Sequence, residues 1–222
     1  MVAPENGLDF NEIRGRESGR IFSLGCGPSL NGQVEYLPRL AQQTTFCCNR
    51  MALWEKLSFT PTYYICSANA VLSGEEPANP PHRRERFLSS RDLKQLRLEG
   101  WYQAYKKPFH DIVPTETFGE DYGVLKVRGG ATHPGIMAQI ALWMGYEQIY
   151  FLGIEQEGKG HCYDPAAQLK LVHFTLNQDR LFDTWRMLRD EFEAAGVKLR
   201  DCTPHGRLND ILGYEALGSV LA

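Results

Sequence analysis

Apolar residues gather in short runs separated by polar, glycine-containing turns. Arg20 to Leu24 (RIFSL) reads as a short buried strand, and the turn-rich GCGPSLNG follows at once. Thr44 to Cys48 and Tyr63 to Cys66 are two more β-rich runs, with helix-like segments between them at Val34 to Ala41 and Met51 to Leu57. Val124 to Val127 is a further strand, Gly135 to Met144 a helix, and Gln148 to Leu152 (QIYFL) the clearest strand of all. In the helix that follows, Leu181, Trp185, Leu188 and Phe192 recur at helical spacing and form one apolar stripe. Gly196 ends it, and Val197 to Arg200 begins the last strand. Strands alternating with helices over short links predict an α/β domain: a Rossmann-like, mostly parallel sheet with helices on both faces.

One stretch breaks the rhythm. From Ser73 to Tyr122 the pattern is irregular, and between His82 and Lys107 eight basic residues face three acidic ones. The formal charge of −3 therefore conceals a segment at +5 against a body near −8. Such a run is either a solvated face or a basic flap near an anionic substrate or membrane surface. The expected organisation is an N-terminal extension over 1–19, then a single nucleotide-binding domain over 20–222 with an irregular basic insertion at about 73–122.

Composition narrows the class. With 43% apolar and 23% charged residues, disordered and fibrous proteins are excluded. The absence of a net basic field argues against nucleic acid as a partner. The apolar stretch Pro134 to Met144 is too short to span a bilayer, and the first twenty residues hold no signal-peptide core. The six cysteines (Cys26, Cys47, Cys48, Cys66, Cys162 and Cys202) form no CxxC pair. Together these features predict a cytoplasmic protein with reduced thiols.

In parallel sheets, ligands bind beyond the carboxyl ends of strands, where strand order reverses. Four strand-end segments carry candidate chemistry. In GCGPSLN, Gly25 and Gly27 allow close backbone approach, so amides can face a phosphate; a plain tight turn is the alternative. In RGGATHPG, Thr132 or His133 caps a helix beginning near Pro134, or presents donors to an anion. In GIEQEGKGHCYDP, Glu155 and Glu157 precede His161, Tyr163 and Asp164, a loop that is either solvated or able to hold Mg²⁺ or Mn²⁺ through oxygen ligands. His173, set between apolar neighbours, is a half-buried residue or a general base near neutral pH. No GxSxG elbow or HExxH helix appears, so a hydrolase has no positive support.

The order GCGPSL, FCCNRM, YYIC and THPGIMAQIALWMGYEQIYFLGIE resembles a superfamily that includes bacterial lipo-oligosaccharide sialyltransferases, motility-associated flagellin glycosyltransferases and 6-hydroxymethylpterin diphosphokinase-like proteins. The most specific piece, GYEQIYFLGIE, is similar to that family's GYKxIYLxGxD signature. The resemblance implies a single-domain variant of the GT-A fold. It places Gly25, Gly27, Pro28 and Ser29 along the nucleotide phosphates or ribose. Asn49 matches a nucleotide-contacting asparagine, and Thr132 and His133 fall where the family has Thr-Ser. Tyr163 matches a tyrosine on the leaving phosphate, and His173 the catalytic base. Three positions depart from the pattern: Glu157 replaces a second phosphate-binding tyrosine, Cys66 an asparagine, and Glu155 an aspartate.

What the resemblance implies is a nucleotide-sugar-dependent, sialyltransferase-like glycosyltransferase acting on a bacterial surface glycan in lipopolysaccharide biosynthesis. Its partners would be a nucleotide or nucleotide-sugar donor and a glycan acceptor, with peripheral membrane contact and homo-oligomerisation left open. No cofactor is firmly implied. The alternatives are a diphosphokinase in which Glu155, Glu157 and Asp164 hold Mg²⁺, and a nucleotide-binding protein without catalysis.

Overall fold

The computed structural model describes residues 9–75, 80–90, 102–107, 117–118, 124–128, 132–156, 159–168 and 178–222. The short apolar runs become parallel strands because both of their faces are covered, which favours near-continuous burial over alternation. The strands are β1 (Arg20–Leu24), β2 (Thr45–Cys48), β3 (Tyr63–Ser67), β4 (Glu85–Ser90), β5 (Tyr102–Lys107), β6 (Thr117–Phe118), β7 (Val124–Arg128), β8 (Gln148–Leu152), β9 (Lys159–His161), β10 (Asp164–Gln168) and β11 (Lys198–Asp201). The main sheet runs β11-β8-β1-β2-β3-β4-β5-β7-β6, and among the described strands only β6 is antiparallel to its neighbour in it. Strands β9 and β10 form a separate antiparallel hairpin. The expected α/β architecture is present.

Two long helices, α3 (Thr132–Met144) and α4 (Gln178–Ala194), lie on one face; α1 (Leu37–Leu40) and α2 (Ala68–Leu72) precede them. The α4 stripe packs as its spacing predicts: Leu181, Trp185, Leu188 and Phe192 are buried, and the Trp185 ring meets Phe151 edge-on at 5.3 Å. Tyr146, just past α3, shares a 3.0 Å hydrogen bond with Tyr63 on that same face. The short helix α5 (Asn209–Leu212) packs at the β11 edge against α4, where Arg189 donates to the Ile211 carbonyl, and α6 (Leu217–Val220) lies on the other face. There Arg20 lies over the Phe22 ring and donates to the Val220 carbonyl at 2.7 Å.

The stretch that reads as irregular supplies β4 and β5, which sit inside the sheet between β3 and β7. Phe87 and Leu88 are buried on opposite faces of β4, and Phe87 contacts the rings of Phe10, Phe46, Tyr63 and Tyr102. Arg83 and Arg84, from the basic run, hold the amino edge of the sheet. Arg83 donates to the Gln43 carbonyl and Thr62, and Arg84 to Glu17 and Tyr63. The helix expected over Met51 to Leu57 is instead a 3-10 turn over Asn49–Leu53 that ends in extended backbone at Trp54. The Tyr64 hydroxyl donates to the Asn49 carbonyl and accepts from the Ala52 N–H, groups that a continuing α-helix would pair internally.

Residues 9–19 strap the end of α3 to the sheet. Phe10 and Ile13 are fully buried, the Trp143 indole donates to the Phe10 carbonyl, and the Gly15 and Glu17 amides donate to Trp143 and Met144.

Chain order reverses beside β1. From β1 the strands proceed through β2, β3, β4 and β5 to β7; the chain then returns through α3 to β8 on the other flank of β1. The crevice beyond the carboxyl ends of β1 and β8 is therefore the topological switch point.

Candidate functional site at the carboxyl edge of the sheet

The loops that follow β1 and β8 are pressed together there. Gly25 and Gly27 donate their amides to the carbonyls of Leu152 and Gly153 at 2.8 Å each. A side chain on Gly25 would collide with Gly153 and Ile154, and one on Gly27 with the Glu155 carboxylate. The Ser29 amide donates to Glu155 Oε1 at 2.5 Å. These glycines thus serve the close approach of two loops, and an internal carboxylate already faces the loop amide that the sequence offers to a phosphate.

Next to this contact lies the end of β2. The thiol of Cys26 donates to the Cys48 carbonyl at 3.3 Å, and Asn49 follows with φ 52. Its Oδ1 is buried without a hydrogen-bond partner among the described residues, as is Ser29 Oγ. The β9–β10 hairpin closes over both segments: the Cys162 amide donates to the Cys26 carbonyl at 2.8 Å, and Asn31 to the Cys162 carbonyl at 3.0 Å. Asn31 is itself fixed by donation from Trp54 and Lys56.

Tyr163 rides on this hairpin with its ring stacked on His161 at 4.9 Å. Burial pushes the Tyr163 hydroxyl well above the usual tyrosine range, with Cys26 adding to the rise and Arg50 pulling it back. Burial likewise holds the His161 imidazole below its usual value, against a hydrogen bond from its ring to the Cys26 backbone and the charge of Asp164. Tyr163 is therefore a proton-bearing donor at neutral pH, with the Arg50 guanidinium near it.

The third wall is the start of α3. Thr132 adopts φ 57, and its hydroxyl accepts from Gln156 Nε2 at 3.3 Å. Ser89 donates to the Cys66 carbonyl at 3.3 Å, so His133 Nε2, at 3.1 Å, is the donor toward Ser89 Oγ. Cys66, at the position where the resemblance has an asparagine, contributes its backbone carbonyl. The described non-glycine residues with positive φ are Asn49, Thr132, Gln156 and His205, and each follows the carboxyl end of a strand. Strain of this kind costs about 1–3 kcal/mol per residue and clusters at functional sites.

Asp201, at the end of β11, is fully buried. Its Oδ1 accepts the Thr203 amide at 2.8 Å, while Oδ2 has no hydrogen-bond partner among the described residues. Burial pushes this carboxyl up to about 7, with hydrogen bonds from Thr203 opposing and Glu155 reinforcing. Thr203 Oγ1 accepts the Ile154 amide, and the Arg207 amide donates to the Glu155 carbonyl, so this turn buttresses the β8 loop.

The edge thus brings together Gly25, Gly27, Pro28, Ser29, Asn49, Thr132, His133, Glu155 and Tyr163. His173 and Glu157 lie outside the described residues. Asp164 is exposed at the start of β10, opposite His161. No three His, Cys, Asp or Glu side chains among the described residues gather as ligands for a metal ion. All six cysteines are buried, and none is in a disulfide. No helix among the described residues is long and apolar enough to cross a membrane. Sequence reasoning did not single out Arg50, Gln156 or Asp201 as site residues. Arg50 announces itself only by following Asn49, and Asp201 only by an inward position at a strand end.

No family model and no curated protein matches the chain. Among solved structures, the sialyltransferase CstII from Campylobacter jejuni, in complex with a substrate analogue, cytidine-5'-monophosphate, is similar to it at 16% sequence identity. The match covers 88% of this chain and 84% of that chain, with a TM-score of 0.48.

Proposed function

We propose that this protein is a nucleotide-sugar-dependent, sialyltransferase-like glycosyltransferase acting on a bacterial surface glycan. The observation that carries this is the convergence of Gly25 to Ser29, Asn49, Thr132 and Tyr163 at one switch-point crevice, with strained backbone and buried unpartnered oxygens. These are the residues that the sequence motifs single out for nucleotide contact. Since the Glu155 carboxylate occupies the Ser29 amide, the β1 loop suits ribose hydroxyls better than phosphate. The donor phosphate would face the Tyr163 hydroxyl and the Arg50 guanidinium, which stabilise charge developing on the leaving oxygen. His173 would take the proton of the acceptor hydroxyl as that oxygen bonds to the anomeric carbon. The bond from anomeric carbon to phosphate oxygen breaks, and the nucleotide leaves with the electron pair.

One observation favours a second reading, a Mg²⁺-dependent diphosphoryl transfer of the pterin-kinase type. A phosphate beside Glu155 would be repelled unless a cation lay between them. A thermal-shift panel of CMP, CDP, UDP, GDP and ATP, each with and without Mg²⁺, separates the two. Ligand at about 100-fold excess over Kd should stabilise by about 2.7 kcal/mol. A preference for CMP without metal supports sugar transfer, and ATP with Mg²⁺ supports the kinase. No response to any nucleotide refutes both.

A further inference from the structure

Adjacent residues of the β8 loop clamp two different walls of the crevice. Glu155 reaches the loop after β1, and Gln156 reaches the start of α3, where its Nε2 donates to Thr132 Oγ1 at 3.3 Å. Both partners in this second contact are held in the left-handed region, Gln156 at φ 55 and Thr132 at φ 57. For a β-branched threonine and a long amide side chain that conformation is costly, and a glycine at either place would relieve it.

The other end of the Gln156 amide is the decisive feature. Gln156 is only 9% exposed, and its Oε1 is buried without a hydrogen-bond partner among the described residues. An orphaned buried acceptor carries a desolvation cost that a bound donor group would recover. The Nε2 bond to Thr132 fixes the amide plane, so Oε1 is pre-oriented.

We infer that Gln156 is a specificity-determining contact of the crevice, whose Oε1 accepts a hydrogen bond from a donor group on the nucleoside part of the bound ligand. This rests on the nucleotide-binding function proposed above. The phosphate of a nucleotide offers no donor when ionised. The donors available are the ribose hydroxyls and an exocyclic base amine. A site built around a buried acceptor rejects an analogue lacking the matching donor, because the acceptor is then left unpaired.

The test is calorimetric titration of the full chain with CMP, 2'-deoxy-CMP, 3'-deoxy-CMP and UMP, each lacking one candidate donor relative to CMP. Wild type should bind one of the three analogues at least tenfold more weakly than CMP. In Gln156→Met, CMP should weaken by about tenfold, and discrimination against that same analogue should collapse to within twofold. Gln156→Gly, which relaxes φ 55 and so keeps the fold, should show the same collapse. The inference is overturned if either variant binds CMP as wild type does, or keeps the wild-type discrimination. If wild type binds no nucleotide at all, the proposed function falls, and the Gln156 assignment with it. Binding of CMP with equal affinity for all three analogues overturns the Gln156 assignment alone.

Discussion

The Glu155 carboxylate accepts the Ser29 main-chain amide at 2.5 Å and lies against Gly27, in the space that a Cβ there would need. Gly27→Ala should therefore push Glu155 off Ser29. Overpacking of this kind costs about 1–3 kcal/mol, readable as a lower midpoint in urea. The double variant Gly27→Ala with Glu155→Ala should recover part of that loss, since the collision is gone. Simple additivity of the two substitutions would show that they do not meet.

Thr132 is a β-branched residue at φ 57, where glycine is at ease. Thr132→Gly should raise stability by up to about 1 kcal/mol, a rise in Tm of about 2–4 °C for a chain of this size. CMP affinity should fall at the same time. A variant that is both less stable and unchanged in binding would place the strain outside the site.

Asp201 makes stability depend on pH. Its carboxyl rises from 3.8 to about 7 on folding through burial. Between those values the folded protein keeps a proton that the unfolded chain has released, so stability falls as pH rises through that window and levels off above it. Asp201→Asn should remove the fall, so its stability relative to wild type should be greater at pH 8 than at pH 5, by up to roughly 2.5 kcal/mol. Urea titrations of both proteins at the two pH values check this; a pH-independent difference would contradict it.

At the amino edge, Glu17 accepts from Arg84 at 2.9 Å and Arg16 at 3.1 Å, and Arg16 also pairs with Glu85. Burial pushes the Glu17 carboxyl up, but the two guanidiniums outweigh it and hold it below the ordinary range. Its contribution is therefore present at neutral pH and lost as pH falls below about 4.5. Glu17→Ala should cost about 1–2 kcal/mol at pH 7, because it leaves two cations facing each other. Arg84→Ala, which removes a side chain already 48% exposed, should cost under about 1 kcal/mol in the same urea assay.

The strands legible in the sequence are those whose apolar residues are contiguous: RIFSL, TFCC, YYIC and QIYFL all sit where their patterns put them. Strands β4 (ERFLSS) and β5 (YQAYKK) were hidden because charged residues flank a few buried ones. The burial of Phe87 and Tyr102 depends on Phe10, far off in sequence. The 3-10 turn at Asn49–Leu53 likewise depends on the Tyr64 hydroxyl, which no local pattern announces.

For the site, the strand-end rule pointed to Gly25, Gly27, Thr132 and Glu155, because alternation fixes where parallel strands stop, while Ser29, Asn49 and the role of Tyr163 came from the family resemblance. Gln156 falls within the same segment after β8, but its backbone angle and its unpaired oxygen are not legible in the sequence. Nor is the pairing of Glu155 with Ser29, which exists only once β8 lies beside β1.

The proposed function requires that the carboxyl edge at the β1/β8 switch point bind a nucleotide. The most direct measurement is a crystal structure of the chain grown with saturating CMP. CMP should lie between the Gly25–Ser29 loop, Asn49, the start of α3 and Tyr163, with Gln156 Oε1 paired to a nucleoside donor. CMP bound anywhere else, or an empty edge at saturating CMP, would contradict it.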